Sequence, residues 1–320
     1  MPLPADPLPA VPCSTAARER QDPMLGTAPP QRRFLLVEAD GGWGFGGFPE
    51  LPLPEDVKDE VVARADAVGA RVMLVRRPGR HSSTVCSLRA WCVIDTTAPA
   101  GGRVTWGTWA YPAELLGALD RLEELASGGG KGSLASSQAR DEPLVLVCTH
   151  GKKDPCCAVR GRPVAQALAR RWPEETWECS HTGGDRFAAN VLLLPDGAAY
   201  GGLDVETALA AVEAHRRGEP GTAYLRGAVG WPRPVQAAVV AVHDQLGPLP
   251  WGSVRPSGTA PAVAGAGEVA ATTVTLGLED GRRVAVDVTE HRRPEARLTC
   301  RTAGASRSQV PVPGRVRVLD

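Results

Sequence analysis

Residues 143–157, PLVLVCTHGKKDPCC, decide the fold prediction, because a run of branched apolar residues leads directly into a loop with three cysteines and a histidine. Apolar runs of this length that end at turn residues are typical of buried strands. The following sequence predicts a helix, a strand, two strands turned at Asp196-Gly197 and a last helix, over 162–172, 176–180, 191–203 and 205–218. The order strand-helix-strand and then strand-strand-helix predicts a thioredoxin-like α/β domain.

The rest of the chain predicts further regions on both sides of this domain. Runs of strand, helix and strand character alternate from Arg33 onwards, and a second turn at Asp280-Gly281 predicts a hairpin near the C-terminus. No internal repeat is visible. We predict a disordered proline-rich arm, an α/β region, a glycine- and serine-rich linker, the thioredoxin-like domain, and a C-terminal helix and β-hairpin region, over 1–31, 32–127, 128–142, 143–220 and 221–320.

The composition argues against several classes of function. The chain has 320 residues, of which 43% are hydrophobic, and a formal net charge of +0, so there is no electrostatic reason to expect binding to nucleic acid or to an anionic membrane. The longest apolar runs are too short to cross a bilayer, and the N-terminus has prolines where a signal peptide needs an apolar core. We therefore expect a cytoplasmic protein whose 8 cysteines are reduced thiols or metal ligands.

Four residues in two loops form the strongest candidate site. Cys148 and Cys157 flank the first loop, and the motif HTGGD places His181 and Asp185 on either side of two glycines. Both loops follow strands that are predicted to end at the same edge of a sheet. Thiolates and imidazoles bind zinc and iron, and glycines let the backbone approach an ion or a cluster closely. The pattern favours a metal or cluster site over simple core packing.

The other cysteines and the glycine-rich segment have simpler interpretations. Cys13, Cys86, Cys92 and Cys300 have no cysteine-histidine cluster nearby in the sequence, and we interpret them as small buried hydrophobic residues. The segment GGWGFGG at 41–47 contains the spacing GxGxxG, but no helix begins within it as a dinucleotide site requires. We interpret it as a flexible glycine loop.

Two long stretches of the sequence resemble a known family. VCTHGKKDPCCAVRGRPVA at 147–165 and ECSHTGGDRFAANVLLLPDGAAYGGL at 178–203 are similar to the sucrase/ferredoxin-like family of bacteria and fungi. The stretches FLLVEADGGWG and VMLVRRPGR also resemble the N-terminal half of that family. The resemblance extends from about Arg33 to Gly218 and does not need the arm or the C-terminal strands.

The resemblance implies a thioredoxin-like ferredoxin domain, and fungal members of the family hold a [2Fe-2S] cluster with two cysteines and two histidines. The fungal cysteine pair has the spacing of Cys148 and Cys157, and the first fungal histidine corresponds to His181. The second histidine position is Asp185 here. The resemblance therefore implies Cys148, Cys157, His181 and the Asp185 position as the ligand positions.

The departure at Asp185 leaves three outcomes open. In the first, Asp185 ligates iron as a carboxylate. In the second, Cys156, Cys179 or His150 supplies the fourth ligand. In the third, the site holds no cluster, and Asp185 hydrogen-bonds to Arg186 or to a backbone amide.

We expect an electron-transfer or redox-sensing protein that works with an unidentified redox partner protein rather than as an enzyme by itself. The alternatives are a thiol-based thioredoxin-like oxidoreductase, although the chain has no C-x-x-C at this site, and a structural zinc module.

Overall fold

The computed structural model describes residues 10–79, 88–128, 138–139, 141–247, 249–302 and 304–319. The α-helices in this part of the chain are α1 Cys13–Glu19, α2 Glu55–Ala67, α3 Leu115–Ala126, α4 Pro155–Arg171, α5 Val205–Arg216 and α6 Arg233–Gln245. The first strands are β1 Arg33–Glu38, β2 Ala70–Arg76, β3 Arg89–Asp95, β4 Val104–Trp109, β5 Gln138–Ala139, β6 Leu144–Cys148 and β7 Thr176–Cys179. The later strands are β8 Val191–Leu194, β9 Ala198–Tyr200, β10 Leu225–Ala228, β11 Val254–Ala262, β12 Ala270–Leu278, β13 Arg283–Arg292 and β14 Gln309–Leu319.

The predicted α/β class is confirmed by a large mixed sheet, and β11 to β14 form a separate C-terminal sheet. The chain consists of two compact units. The sheet unit comprises Gln31–Thr182 and Val191–Gly197, and the C-terminal unit comprises Met1–Pro30, Gly183–Asn190 and Ala198–Asp320. The five linear regions that the sequence predicts stay a prediction.

The sheet unit contains the same strand arrangement twice. Its strands lie in the order β8-β6-β7-β2-β1-β3-β4-β5. In the N-terminal half, β1 pairs parallel with β2 and antiparallel with β3. In the second half, β6 pairs parallel with β7 and antiparallel with β8. The two halves meet where β2 and β7 pair antiparallel, so the sheet unit has an internal structural repeat that the sequence does not reveal.

Each half of this sheet is supported by helices on its apolar residues. In the N-terminal half, Leu35, Trp109, Val61 and Leu119 belong to one buried cluster that joins the strands to α2 and α3. In the second half, α4 crosses from β6 to β7, which is the connection that parallel strands need. Helix α4 therefore starts close to the end of β6, beside the predicted ligand loop.

Helix α4 begins seven residues earlier than the sequence prediction of 162–172, at Pro155. The Asp154 side chain accepts a hydrogen bond from the Cys156 N–H at 2.9 Å, and proline is a favourable first residue of a helix. These are ordinary helix start signals. The adjacent residues Cys156 and Cys157 consequently lie in the first turn of α4 rather than in a loop.

Part of the segment that the sequence predicts as an arm is helical in the structure. Residues 1–9 lie outside the described residues, but Cys13–Glu19 form helix α1, in which Cys13 and Ala17 are buried. The Cys13 N–H donates to the Cys300 sulfur at 3.3 Å, so these two cysteines are not isolated as the sequence suggested. Most of the predicted linker, and Cys86, lie outside the described residues.

The C-terminal unit contains an antiparallel meander in the order β11-β12-β13-β14. The hairpin predicted at Asp280-Gly281 joins β12 to β13, and Gly281 has a φ of 87°, a conformation that glycine adopts without strain. Helix α6 packs on this sheet through Val235, Val239 and Val242. None of the helices in the described residues combines the length and the apolar character needed to span a membrane.

Candidate metal centre

Three of the four predicted ligands converge at one end of the second half-sheet. Cys148 is the last residue of β6, Cys157 lies in the first turn of α4, and His181 follows β7 by two residues. The two Sγ atoms and a ring nitrogen of His181 all lie within 4.8 Å of one another. Both cysteines are fully buried, and His181 is partly exposed. Two sulfurs and one imidazole at this separation are a donor set that iron or zinc can use.

A close approach of helix and strand brings the two cysteines together. Gly161 lies four residues after Cys157 and therefore on the same face of α4. A Cβ atom at Gly161 would lie 2.2 Å from the carbonyl oxygen of Cys148, whereas real Cβ atoms essentially never approach such a neighbour to under 3.0 Å. Only glycine lets α4 pack this tightly against the end of β6.

The electrostatics of the group favour a thiolate at Cys148. The Cys157 thiol donates a hydrogen bond to the Cys148 sulfur, and this bond, together with His181 nearby, holds the pKa of Cys148 well below its ordinary value. Burial raises the pKa of Cys148 but does not outweigh these two effects. Thiolate is the form of cysteine that binds metal ions.

His150, an alternative fourth ligand in the sequence prediction, uses both ring nitrogens in the protein. Its Nε2 lies 2.7 Å from the Gly44 carbonyl oxygen, and its Nδ1 accepts a hydrogen bond from the His181 N–H at 3.2 Å. These partners assign the proton to Nε2. Burial lowers the pKa of His150, so the neutral ring that this pattern requires is favoured. His150 therefore orients the backbone of His181.

The segment GGWGFGG at 41–47 supports this arrangement, and its interpretation as a flexible loop is wrong for Trp43 and Gly44. Trp43 is buried, its Nε1 donates to the Ala39 carbonyl oxygen at 3.1 Å, and its ring meets His150 edge-on with 5.9 Å between centroids. The N-terminal half thus supplies the hydrogen-bond acceptor and the packing surface for His150.

Cys156 and Cys179, two further alternatives, are buried but do not belong to the group that Cys148, Cys157 and His181 form. Cys179 lies opposite Cys148 in the β6–β7 register. Burial raises the pKa of Cys179 well above its ordinary value, so its thiol stays protonated. The structure thus distinguishes Cys148, which is stabilised as a thiolate, from its neighbour on β7.

A model of the sucrase/ferredoxin-like family matches residues 48–227, which is more than half of the chain and contains every predicted ligand. This chain belongs to the sucrase/ferredoxin-like family. The family resemblance read from the two motifs is therefore confirmed. No curated protein and no solved structure matches the chain.

Asp185, the fourth predicted ligand of this sucrase/ferredoxin-like protein, belongs to the C-terminal unit. It begins a short 3-10 helix, Asp185–Phe187, directly after Gly184, which has a φ of 77°. Buried Arg226 holds this loop by donating to the Gly183 carbonyl oxygen at 3.1 Å and to the Asn190 side chain at 2.8 Å. No sequence signal pointed to Arg226, because it lies 43 residues from Gly183.

A cavity of about 320 Å³ adjoins the partly exposed candidate ligand His181 of this family member. Two cations, Arg71 and Lys153, and one carboxylate, Asp66, line it together with Phe45, and the Lys153 ammonium lies 4.0 Å from the centre of the Phe45 ring. The Arg71 guanidinium donates a hydrogen bond to the His181 carbonyl oxygen. The lining on the exposed side of the candidate centre therefore has one more cationic than anionic side chain.

Proposed function

We propose that this sucrase/ferredoxin-like protein holds a [2Fe-2S] cluster in the cytoplasm and acts in electron transfer or redox sensing. The observation that carries the proposal is the convergence of Cys148, Cys157 and His181 within 4.8 Å. These are the positions at which the family's fungal members supply cluster ligands. We propose Asp185 as the fourth ligand on the basis of the motif.

The residues present fit such a cluster by their chemistry. Thiolate character at Cys148, burial of both cysteines and a histidine that is oriented through its backbone are what an iron-sulfur site needs. When bound, the cluster would supply one-electron transfer, at a potential above that of an all-cysteine centre because imidazole carries no negative charge.

The residues around the centre would determine which redox partner protein exchanges electrons with it. His181 is the partly exposed member of the ligand group, and the cavity beside it carries Arg71 and Lys153. A positively charged rim favours association with an acidic surface. We therefore propose that the redox partner is a protein that presents acidic residues to this side of the centre.

Anaerobic purification followed by visible absorption, iron and acid-labile sulfide measurements tests the proposal. We expect a coloured protein that loses its colour in C148S and in C157S and keeps it in C156S, the matched control in the same helical turn. Asp185→His should slow cluster loss in air if this position ligates iron. A colourless protein after reconstitution, with zinc or without metal, would overturn the cluster.

One observation favours a second candidate, a thiol-based oxidoreductase. The Cys157 thiol donates to the Cys148 sulfur within the same 4.8 Å group. Without a metal, this pair could reduce a disulfide substrate to two thiols while a bond forms between the two Sγ atoms. Mass spectrometry after reaction with oxidised glutathione would detect that bond, and zinc analysis of the same sample would test a structural zinc site on the same ligands.

A further inference from the structure

The C-terminal unit contains a second candidate site, a pocket of about 470 Å³. Four arginines from four different segments line it. Arg186 lies in the short 3-10 helix, Arg233 begins α6, Arg292 ends β13, and Arg307 precedes β14. The other side chains of the wall are those of Thr27, Ser308 and Gln309, so the lining contains no carboxylate and no large apolar group.

The carboxylates around this pocket neutralise the arginines only in part. Arg233 pairs with Glu290 at 3.0 Å, and Arg307 pairs with Glu295 at 3.2 Å with both side chains more than half exposed. Exposed pairs of this kind are worth little and leave the cation available. Arg292 is exposed and forms no ion pair with any other described residue.

Arg186 is the most informative of the four arginines. Its side chain is only 11% exposed, and its buried Nε donates no hydrogen bond within the described part of the chain. Asp22 forms an ion pair with this Nε at 3.6 Å, which is beyond hydrogen-bond distance. A buried guanidinium with an unused donor costs free energy unless an acceptor completes it.

We propose that this pocket binds the phosphate group of a small metabolite. Guanidinium groups grip tetrahedral oxyanions through paired N–H donors, and converging cations from separate segments suit a group with more than one negative charge. Because the wall is polar throughout, the ligand is small and highly charged rather than a large apolar molecule. This inference does not depend on the cluster.

Isothermal titration calorimetry of the full chain tests this site, with inorganic phosphate and pyrophosphate as probes and succinate for comparison. Arg292→Gln is the test variant, because its side chain is exposed and its loss leaves no buried group behind. Arg255→Gln is the matched control, since Arg255 is exposed on β11 outside the pocket and the variant loses the same charge. Circular dichroism of both variants verifies the fold.

We expect saturable binding of a phosphate probe to the wild-type chain and to R255Q, and affinity at least about tenfold weaker in R292Q, as the loss of a charge-assisted hydrogen bond implies. Three results would overturn the proposal. They are no saturable binding of either phosphate probe, equal affinity in R292Q and R255Q, and succinate binding as tight as that of phosphate.

Discussion

Replacing Gly161 by alanine perturbs the contact that holds the two cysteines of the candidate centre together. The added Cβ would lie 2.2 Å from the Cys148 carbonyl oxygen, whereas real contacts of this kind are essentially never under 3.0 Å. Helix α4 and strand β6 must therefore separate by about 0.8 Å at this point. The obstacle is backbone rather than a flexible side chain, so it cannot rotate away.

Two effects of this substitution oppose each other in the free energy of unfolding. Alanine in a helix interior is favoured over glycine by about 1 kcal/mol, whereas overpacking of a tight contact costs about 1–3 kcal/mol. We expect a net loss of about 1 kcal/mol. The effect on metal binding should be larger, because metal-ligand distances tolerate only about 0.2 Å and Cys157 moves with the same face of α4 as Gly161.

Gly117→Ala is the matched control, because Gly117 lies inside α3 and a Cβ there would meet nothing within 4 Å. Thermal unfolding and metal content of G161A, G117A and the wild type, all prepared in parallel, give the comparison. We expect G117A to be slightly more stable and fully loaded, and G161A to be less stable and poorly loaded. If G161A matches G117A in both measurements, the tight packing of α4 on β6 does not hold the centre together.

Two histidines outside the proposed ligand set lead to further measurable predictions. His150→Leu removes the acceptor of the His181 N–H and should release metal to a chelator about 10- to 100-fold faster. His150→Asn keeps an acceptor near the position of Nδ1 and should change the release rate less. Equal release rates in both variants would contradict the orienting role of His150. Burial holds the pKa of His243 at about 4, below its usual 6.5, and its ring stacks on that of Trp251. His243 in the unfolded chain therefore binds a proton at a higher pH than in the folded chain. The free energy of unfolding consequently falls by up to about 3 kcal/mol as the pH drops from 6.5 towards 4. Urea unfolding at both pH values should show a smaller drop in His243→Leu, and identical drops would refute this.

Local sequence signals account for the fold elements that were predicted and for some that were missed. The strand that ends at Cys148 and the hairpin at Asp280-Gly281 follow from apolar patterning and turn chemistry, which act over a few residues. The start of α4 at Pro155, which the sequence prediction missed, could also have been predicted, because Asp154 is a good N-cap and proline suits the first helical position. Helix α1 has no capping side chain in the structure, and its proline-rich surroundings suggested disorder.

The sequence by itself determined the α/β class and the family, and it predicted Cys148, Cys157 and His181 as one candidate group, since all of these depend on residue types at short spacings. Only the tertiary structure decided that His150 accepts a hydrogen bond from the His181 N–H and so orients its neighbour. That role depends on the Gly44 carbonyl oxygen, which lies 106 residues away along the chain. The arginine pocket has the same origin, because its four arginines come from four segments that only the folding of the C-terminal unit brings together. Contacts of this kind result from the packing of the whole unit, and no local pattern encodes them.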